Sequence, residues 1–463
     1  MNLKPYPEYK DSGVAWLGKV PKHWEMRKFR TILTPIAERN RPDLSLLSVV
    51  REKGVIERNI KDDSENHNYI PDDLSNYKVV KSGQFAMNKM KAWQGSYGIS
   101  KFDGIVSPAY FVFDLKCIEP DFFHKAVRSR AYVPFFTQAS DGVRVGQWDL
   151  SQTRMKEMPF FIPSPEEQLA IARFLDYKTA QIARFIKAKK RMIELLKEQK
   201  QVIINDAITG KIDVATGKPY PKYKDSGVEW LGQVPEGWEV KRGKFFFKEV
   251  DNRSFTGQEE LLSVSHITGV TPRSEKNINM FKAESYIGYK ICSPGQIAVN
   301  TMWAWMAAVG VSKHTGIISS SYHTYKQKDN FFNNDFLDLL LRIRPYKILY
   351  TLNSKGITSS RLRLYPDDFL NILFLCPSIK EQESILNWFK KKTINLDQAI
   401  SRTEREISLM QEYRTRLISD VVTGKIDVRD IEIPDIADID ITLDESIDEP
   451  EGEEESETAE AEE

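Results

Sequence analysis

Cysteine, histidine and long apolar runs are all scarce in this chain. Three cysteines occur in 463 residues, Cys117, Cys292 and Cys376. Their odd number and wide spacing exclude a disulfide framework, and they read as reduced, partly buried thiols. Six scattered histidines and no CxxC pair leave no recognisable zinc site. No run of about 18 apolar residues exists, which argues against a membrane-spanning helix. The opening MNLKPYPEYKDSG has no apolar core, so a secretory leader is not expected and the expected compartment is the cytoplasm.

Catalytic signatures are missing as well. The Gly-Lys pair between Gly210 and Lys218 has the wrong spacing for a phosphate-binding loop, and Pro219 follows it. There is no GxGxxG for a dinucleotide or adenosyl cofactor. There is no Asn-Pro-Pro-Tyr-like tetrapeptide of the kind amino-methyltransferases use to hold a flipped base. No Ser/His/Asp or Cys/His pairing stands out. The chain is expected to bind rather than to catalyse, with no cofactor, metal or catalytic residue of its own.

What is present begins with segregated charge. The formal net charge is zero, but Arg429–Glu463 carries 17 acidic residues against one arginine, a net of −16. The rest of the chain carries 65 basic and 49 acidic residues, a net of +16. A body of that charge attracts polyanions, nucleic acid foremost. The acidic run is too polar to build a core and is expected to be disordered.

Internal repetition organises the remainder. PYPEYKDSGVAWLGKVPKHWE (5–25) returns as PYPKYKDSGVEWLGQVPEGWE (219–239), an offset of 214. SGQFAMNKMKAWQGSYGISKFDGIVSPAY (82–110) returns at 294–322, an offset of 212. Each copy closes on a stretch that begins PSPEEQ or PSIKEQ and ends TGKIDV, at 163–214 and 377–428. The expected plan is two mixed α/β (α+β) domains in tandem, 1–162 and 215–376. Each is followed by a long helical region, 163–214 and 377–428, and the acidic tail occupies 429–463. The short β-branched run Ile105–Phe113 reads as a strand. Glu239-Val240-Lys241 looks like half of a nuclease motif, but its counterpart Glu25-Met26-Arg27 lacks the lysine, so both read as charged strand edges.

Glu166 to about Ala207 contains neither Gly nor Pro; Pro165 precedes it and Gly210 follows. Apolar residues at Leu175, Ile182, Ile186, Ile193, Leu196 and Ile203, with Thr179, Lys189 and Lys200 completing the spacing, alternate by four and three. That is a heptad seam. Adding 214 gives Phe389, Leu396, Ile400, Ile407, Met410 and Leu417 in the same register. Two helices of roughly 60 Å are expected to pair as a coiled coil. The short link between Ile208 and Pro219 requires them to run antiparallel, with a pseudo-two-fold, circular arrangement of the copies.

Candidate DNA-contacting residues lie where the copies share a frame but differ in side chain. Asn88-Lys89-Met90-Lys91-Ala92-Trp93 matches Asn300-Thr301-Met302-Trp303-Ala304-Trp305. Lys89, Lys91 and Trp93, with Thr301 and Trp303, are therefore candidates, since lysine donates to phosphate or guanine and threonine favours softer contacts. The lysines read equally as solvated charges. Arg144 and Gln147 in one copy, Arg361 and Arg363 in the other, follow a shared glycine and could form base-reading forks or simple ion pairs. Arg51, Lys53, His266 and Arg273 in polar loops are weaker candidates. Ser107, Tyr110, Ser319, Ser320 and Tyr322 offer hydroxyls to phosphate or mark a strand with a buried tyrosine.

Taken together, YKDSGVxWLGxVPxxWE, GIxSxxY and PSxxEQ…TGKID resemble the specificity subunits of Type I restriction-modification enzymes. The resemblance spans residues 1–428 and occurs twice; the tail is not part of it. It implies a non-catalytic chain with two target recognition domains, each reading half of a split sequence in double-stranded DNA. It also implies two methyltransferase subunits docked on the helices, together with restriction or motor subunits. S-adenosylmethionine, ATP and Mg chemistry would belong to those partners. Two alternatives stay open: a self-contained nuclease or methyltransferase with degenerate motifs, and an orphan DNA binder without partner subunits.

Overall fold

The computed structural model describes residues 3–58, 70–71, 73–142, 148–227, 231–276, 285–357 and 361–434. The chain divides into two compact units. Among the described residues, one unit takes everything up to Arg191 and from Thr403 on; the other takes Met192–Arg402. Each unit therefore holds one copy's α/β body, the start of that copy's long helix and the end of the other long helix.

The first unit is built on a four-stranded antiparallel sheet in the order Leu33–Ile36, Phe111–Leu115, Phe85–Met87, Tyr97–Ile99. The second repeats it as Phe247–Val250, His323–Gln327, Ile297–Val299, Val309–Val311. Two-stranded ladders flank each sheet. In the first unit they include Leu47–Val50 with Gly54–Glu57, Lys78–Val80 with Gly104–Val106, and Glu25–Lys28 with Pro159–Ile162. Their counterparts in the second are Leu262–Ser265 with Gly269–Pro272, Lys290–Cys292 with Gly316–Ile318, and Glu239–Arg242 with Leu373–Cys376. The charged strand-edge reading of Glu25 and Glu239 matches these last ladders. Aromatic residues fill both cores: Phe85, Phe122, Phe123, Phe136 and Phe160 in one, Phe247, Phe336, Tyr346, Phe369 and Phe374 in the other.

The run Ile105–Phe113 is not one strand. Gly104–Val106 ends at a turn over 107–110, and Phe111–Leu115 joins a different ladder. Ser107 and Pro108 cause the break: the serine hydroxyl accepts from the Ala109 amide at 3.4 Å, a side-chain turn that competes with strand pairing.

The long helices run Pro165–Ile208 and Ile379–Val422, 44 residues each. Ser164 caps the first by accepting from Glu167 N at 3.4 Å, and Ser378 caps the second through Glu381 N at 3.3 Å. Gly210 and Gly424 end them in the left-handed region, at φ 73° and 74°. In the first unit, Leu175, Ile182 and Ile186 share a core with Ile407, Met410 and Leu417, and Lys189 pairs with Glu406 at 2.7 Å. In the second, Lys200 pairs with Asp397 at 2.6 Å and lies over the Phe389 ring. Within each unit the start of one helix thus lies against the end of the other, which is antiparallel contact. Leu175, Ile182, Ile186, Ile193 and Leu417 are buried; Leu196, Ile203, Phe389, Leu396, Ile400, Ile407 and Met410 are half-buried, and no seam residue is exposed. No helix among the described residues is long and apolar enough to cross a membrane.

Candidate nucleic-acid interface

The shared sequence frames prove to be joints that hold the copies in shape. Gln168 donates to Pro163 O at 2.9 Å and accepts from Glu119 N at 2.8 Å, clamping the helix start to a neighbouring helix. Gln382 repeats both contacts with Pro377 and Asn333. Glu167 accepts from Tyr6 Oη and Trp24 Nε1; Glu381 accepts from Tyr220 Oη. A Cβ on Gly424 would meet Pro21 Cδ at 2.2 Å, and one on Gly210 would meet Pro235 Cδ at 2.5 Å, so only glycine fits where each helix end abuts a VPxxW segment.

Asn88 Nδ2 donates to Tyr110 Oη at 3.1 Å, and its Oδ1 accepts from Met90 N. Asn300 does the same to Tyr322, at 2.7 Å, and to Met302 N. The Asn and Tyr of the repeated motifs are therefore one structural clasp. It pins the turn that carries the variable residues, each tyrosine hydroxyl accepting from its asparagine. Ser107 and Ser319 cap turns through Ala109 N and Ser321 N.

The candidates carried on these frames fare unequally. Lys91 is exposed. Lys89 is a third exposed and pairs with Asp149 at 3.0 Å. Trp93 packs against Trp148 at 5.4 Å, whereas Trp303 stacks on Trp305 at 5.7 Å with a 20° interplanar angle. Thr301 departs from expectation: it is buried, and its hydroxyl donates to the Ser321 carbonyl. It fastens the turn from inside, so it is not placed to reach a base. Arg363 sits in a backbone bridge with Lys355, two bonds of 2.9 Å, and Arg361 beside it is exposed. Arg144 and Gln147 lie outside the described residues.

Arg51 and Lys53 occupy the tight turn between Leu47–Val50 and Gly54–Glu57, and His266 the matching turn in the second copy. Arg273 is not in that turn. Its amide bonds to Leu261 O at 2.8 Å, as Arg58 N bonds to Leu46 O at 2.9 Å, so Arg273 corresponds to Arg58 at the far end of the hairpin. Beneath each turn lies an arginine that the sequence reading missed. Arg128 donates to Arg51 O at 2.8 Å and Glu52 O at 2.7 Å; Arg342 donates to His266 O and Ile267 O. The 214 offset between Arg128 and Arg342 was the signal that could have found them. Missed too were Lys78 and Lys290, on the strands beside the clasp. Lys78 Nζ donates to Tyr110 O at 2.5 Å, and burial foremost, then the charges of Arg39 and Lys89, lower its pKa.

Each copy therefore presents a rigid frame with a latched hairpin turn and a clasped variable turn, and the two copies differ in what those turns display. No family model matches the chain. In sequence it is similar to the Type I restriction enzyme MjaIX specificity subunit of Methanocaldococcus jannaschii, 24% identical across 92% of this chain and 98% of that protein. In fold it is similar to a chain solved for complex assembly and conformational transition of the type I R-M system, 14% identical, TM-score 0.57, covering 88% of this chain and 99% of that one. The HsdS subunit from Thermoanaerobacter tengcongensis, 13% identical, aligns over 90% of this chain and 99% of its own with a TM-score of 0.46. The resemblance carried by the repeated motifs is thus met by comparison of the whole chain, which is similar in sequence to a Type I restriction enzyme specificity subunit.

Proposed function

We propose that this chain reads a split target in double-stranded DNA and directs partner methyltransferase and restriction subunits to it, without catalysing a reaction itself. The observation that carries this reading is the pair of frames with matching ladders and hydrogen bonds but unlike displayed side chains. Lys91 and Trp303 occupy one position in the two copies, as do Arg51 and His266. Identical frames keep the reading geometry; different tips read different bases. The long helices supply the fixed separation and a surface for two methyltransferase subunits, whose S-adenosylmethionine chemistry, with ATP and Mg in the restriction subunits, lies outside this chain.

The antiparallel helix contacts and the chain ends support a circular, pseudo-two-fold arrangement. Asp427 N donates to Lys4 O at 2.8 Å, the same bond that Asp213 N makes to Lys218 O at 2.8 Å. Ends more than 400 residues apart in the chain thus meet as residues five apart do in the middle.

The test is a map of methylated adenines in cells carrying this chain and its modification subunit. A bipartite motif with unlike halves and a fixed spacer is expected, with half-site centres about one helical turn, ~34 Å, apart. Replacing residues 30–160 by those of another family member should change one half only. A chain permuted by joining residue 428 to residue 5 and opened near 216 should write the original motif. A single unsplit motif, or a swap that alters both halves, sinks the reading.

A further inference from the structure

The two copies differ most sharply around one lysine. Lys78 pairs with Val106 in its ladder, and Lys290 pairs with Ile318 in the equivalent ladder. Val79 N bonds to Glu38 O at 2.9 Å and Ile291 N to Asn252 O at 2.7 Å, so Ala37 and Arg39 correspond to Asp251 and Arg253. Val112 opposite Ile36 and Thr324 opposite Val250 set Phe111 against His323.

In the second copy the lysine is satisfied internally. Lys290 is 4% exposed at its side chain, 3.5 Å from Asp251 Oδ1 and 3.4 Å from His323 Nδ1. Asp251 also takes Arg253 at 3.2 Å, and His323 bonds to Glu249 at 2.7 Å. In the first copy both carboxylates and the histidine of that set are missing: Pro35 stands for Glu249, Ala37 for Asp251, Phe111 for His323. Lys78 is half-buried between the Tyr110 carbonyl and the Phe111 ring, 5.8 Å from its centroid. Among the described residues neither Lys78 nor the exposed Arg39 has a carboxylate partner, and the nearby Lys89 spends its charge on Asp149.

A half-buried ammonium next to a second unpaired cation is unfavourable unless an anion completes it. We propose that Lys78 and Arg39 bind a backbone phosphodiester of DNA in the first copy, and that Asp251 closes the same position in the second. The proposal rests on the DNA-reading function above and adds a division of labour to it. The first copy grips the backbone at this point; the second reaches its half-site without that phosphate contact. Lysine suits the task as a point charge, and arginine adds a fork that matches two phosphate oxygens.

The test uses the full chain assembled with its modification subunit, bound to a duplex carrying the methylated motif at 50 to 200 mM salt. Each phosphate contact contributes about 0.9 to the slope of log affinity against log salt. Lys78→Gln should remove about that much, so affinity should fall roughly 3- to 4-fold less than in the unaltered complex over that range. Ala37→Asp, at an exposed position, should reproduce the change by supplying the missing carboxylate, with the melting temperature unaltered. Lys290→Gln should leave the slope as it was. Unaltered slopes in both Lys78→Gln and Ala37→Asp overturn the proposal, as does a Lys290→Gln complex that loses as much slope as Lys78→Gln. A wild-type complex that binds no DNA overturns the proposed function as well; intact binding and motif with unmoved slopes overturns the phosphate site alone.

Discussion

The two helix joints solve the same problem with different numbers of bonds. At the second joint, Tyr220 alone donates to Glu381, Gly237 stands where the first copy has His23, and the buried Trp238 Nε1 has no partner among the described residues. At the first joint, Glu167 is buried and takes Tyr6 at 2.6 Å, His23 at 2.8 Å and Trp24 at 2.9 Å. Arg429 adds its guanidinium over the Tyr6 ring at 5.0 Å and pairs with Asp427 at 2.6 Å. The difference follows from chain connectivity. Gly210 runs on into Pro235–Trp238 through a short link, so covalent continuity limits what the joint must hold. Gly424 meets Pro21–Trp24 with almost the whole chain between them, and closing that loop costs more conformational entropy. The better-bonded joint is the one that must close without a short link.

That comparison can be broken at Glu167. Glu167→Ala strands a buried phenol, an indole N–H and a histidine, and should cost about 3 kcal/mol in urea unfolding of the intact chain. Glu381→Ala strands one half-buried phenol and should cost about 1 kcal/mol. Equal losses would show that the extra bonds of the first joint add nothing.

A smaller contrast lies under the hairpin turns. His124 and Asp338 are equivalent: His124 Nδ1 accepts from Ile99 N at 3.0 Å, Asp338 Oδ1 from Val311 N at 2.9 Å. Asp338 also pairs with Arg342, whereas His124 stands close to the latch arginine Arg128 as a neutral ring. Burial, then the charges of Arg128, Lys125 and Lys101, push the His124 pKa well below its usual value. The unfolded chain binds a proton at this histidine below about pH 6.5 and the folded chain does not. Stability from this site is therefore complete above that pH and is lost as pH falls, by at most about 1.4 kcal/mol per pH unit. Unfolding curves from pH 8 to pH 5 should show that loss, and His124→Gln should flatten it. An unchanged slope in the variant would place the acid sensitivity elsewhere.

What could be read in the sequence tracks how local the cause is. The long helices follow from a gap-free heptad run with a serine cap and a terminal glycine, all set within the helix itself. The strand break at Ser107-Pro108 was hidden because a hydroxyl-capped turn leaves the apolar pattern on both sides intact. Thr301 looked displayed because it aligns with Lys89, yet in tertiary structure its smaller side chain turns inward to a carbonyl. Lys78 and Lys290 look alike in sequence; only the strand register brings Asp251 to one and leaves Ala37 near the other.

The smallest expected effect concerns the acidic tail, and here too the copies are unequal. The tail was expected to be disordered from residue 429, but its first residues are built in: Arg429 pairs with Asp427, and Ile431 and Ile433 pack on the first unit's core. The rest of that expectation, residues 435–463, lies outside the described residues. Those residues carry 15 acidic side chains and no basic one, and their tether to the first unit raises their effective concentration near it. If the tail competes with DNA for the basic body, the competition should fall hardest on the first copy, where Lys78 and Arg39 have no carboxylate partner among the described residues. Deleting 435–463, and leaving Ile431 and Ile433 in place, should tighten DNA binding by roughly 2- to 5-fold at 50 mM salt, an effect that screening should abolish by about 200 mM. In a Lys78→Gln background the gain should shrink, because part of the tail's target is gone. Equal affinity with and without the tail at low salt would reduce it to a solubility segment. An unchanged gain in the Lys78→Gln background would show that it screens the body as a whole rather than competing at the first copy.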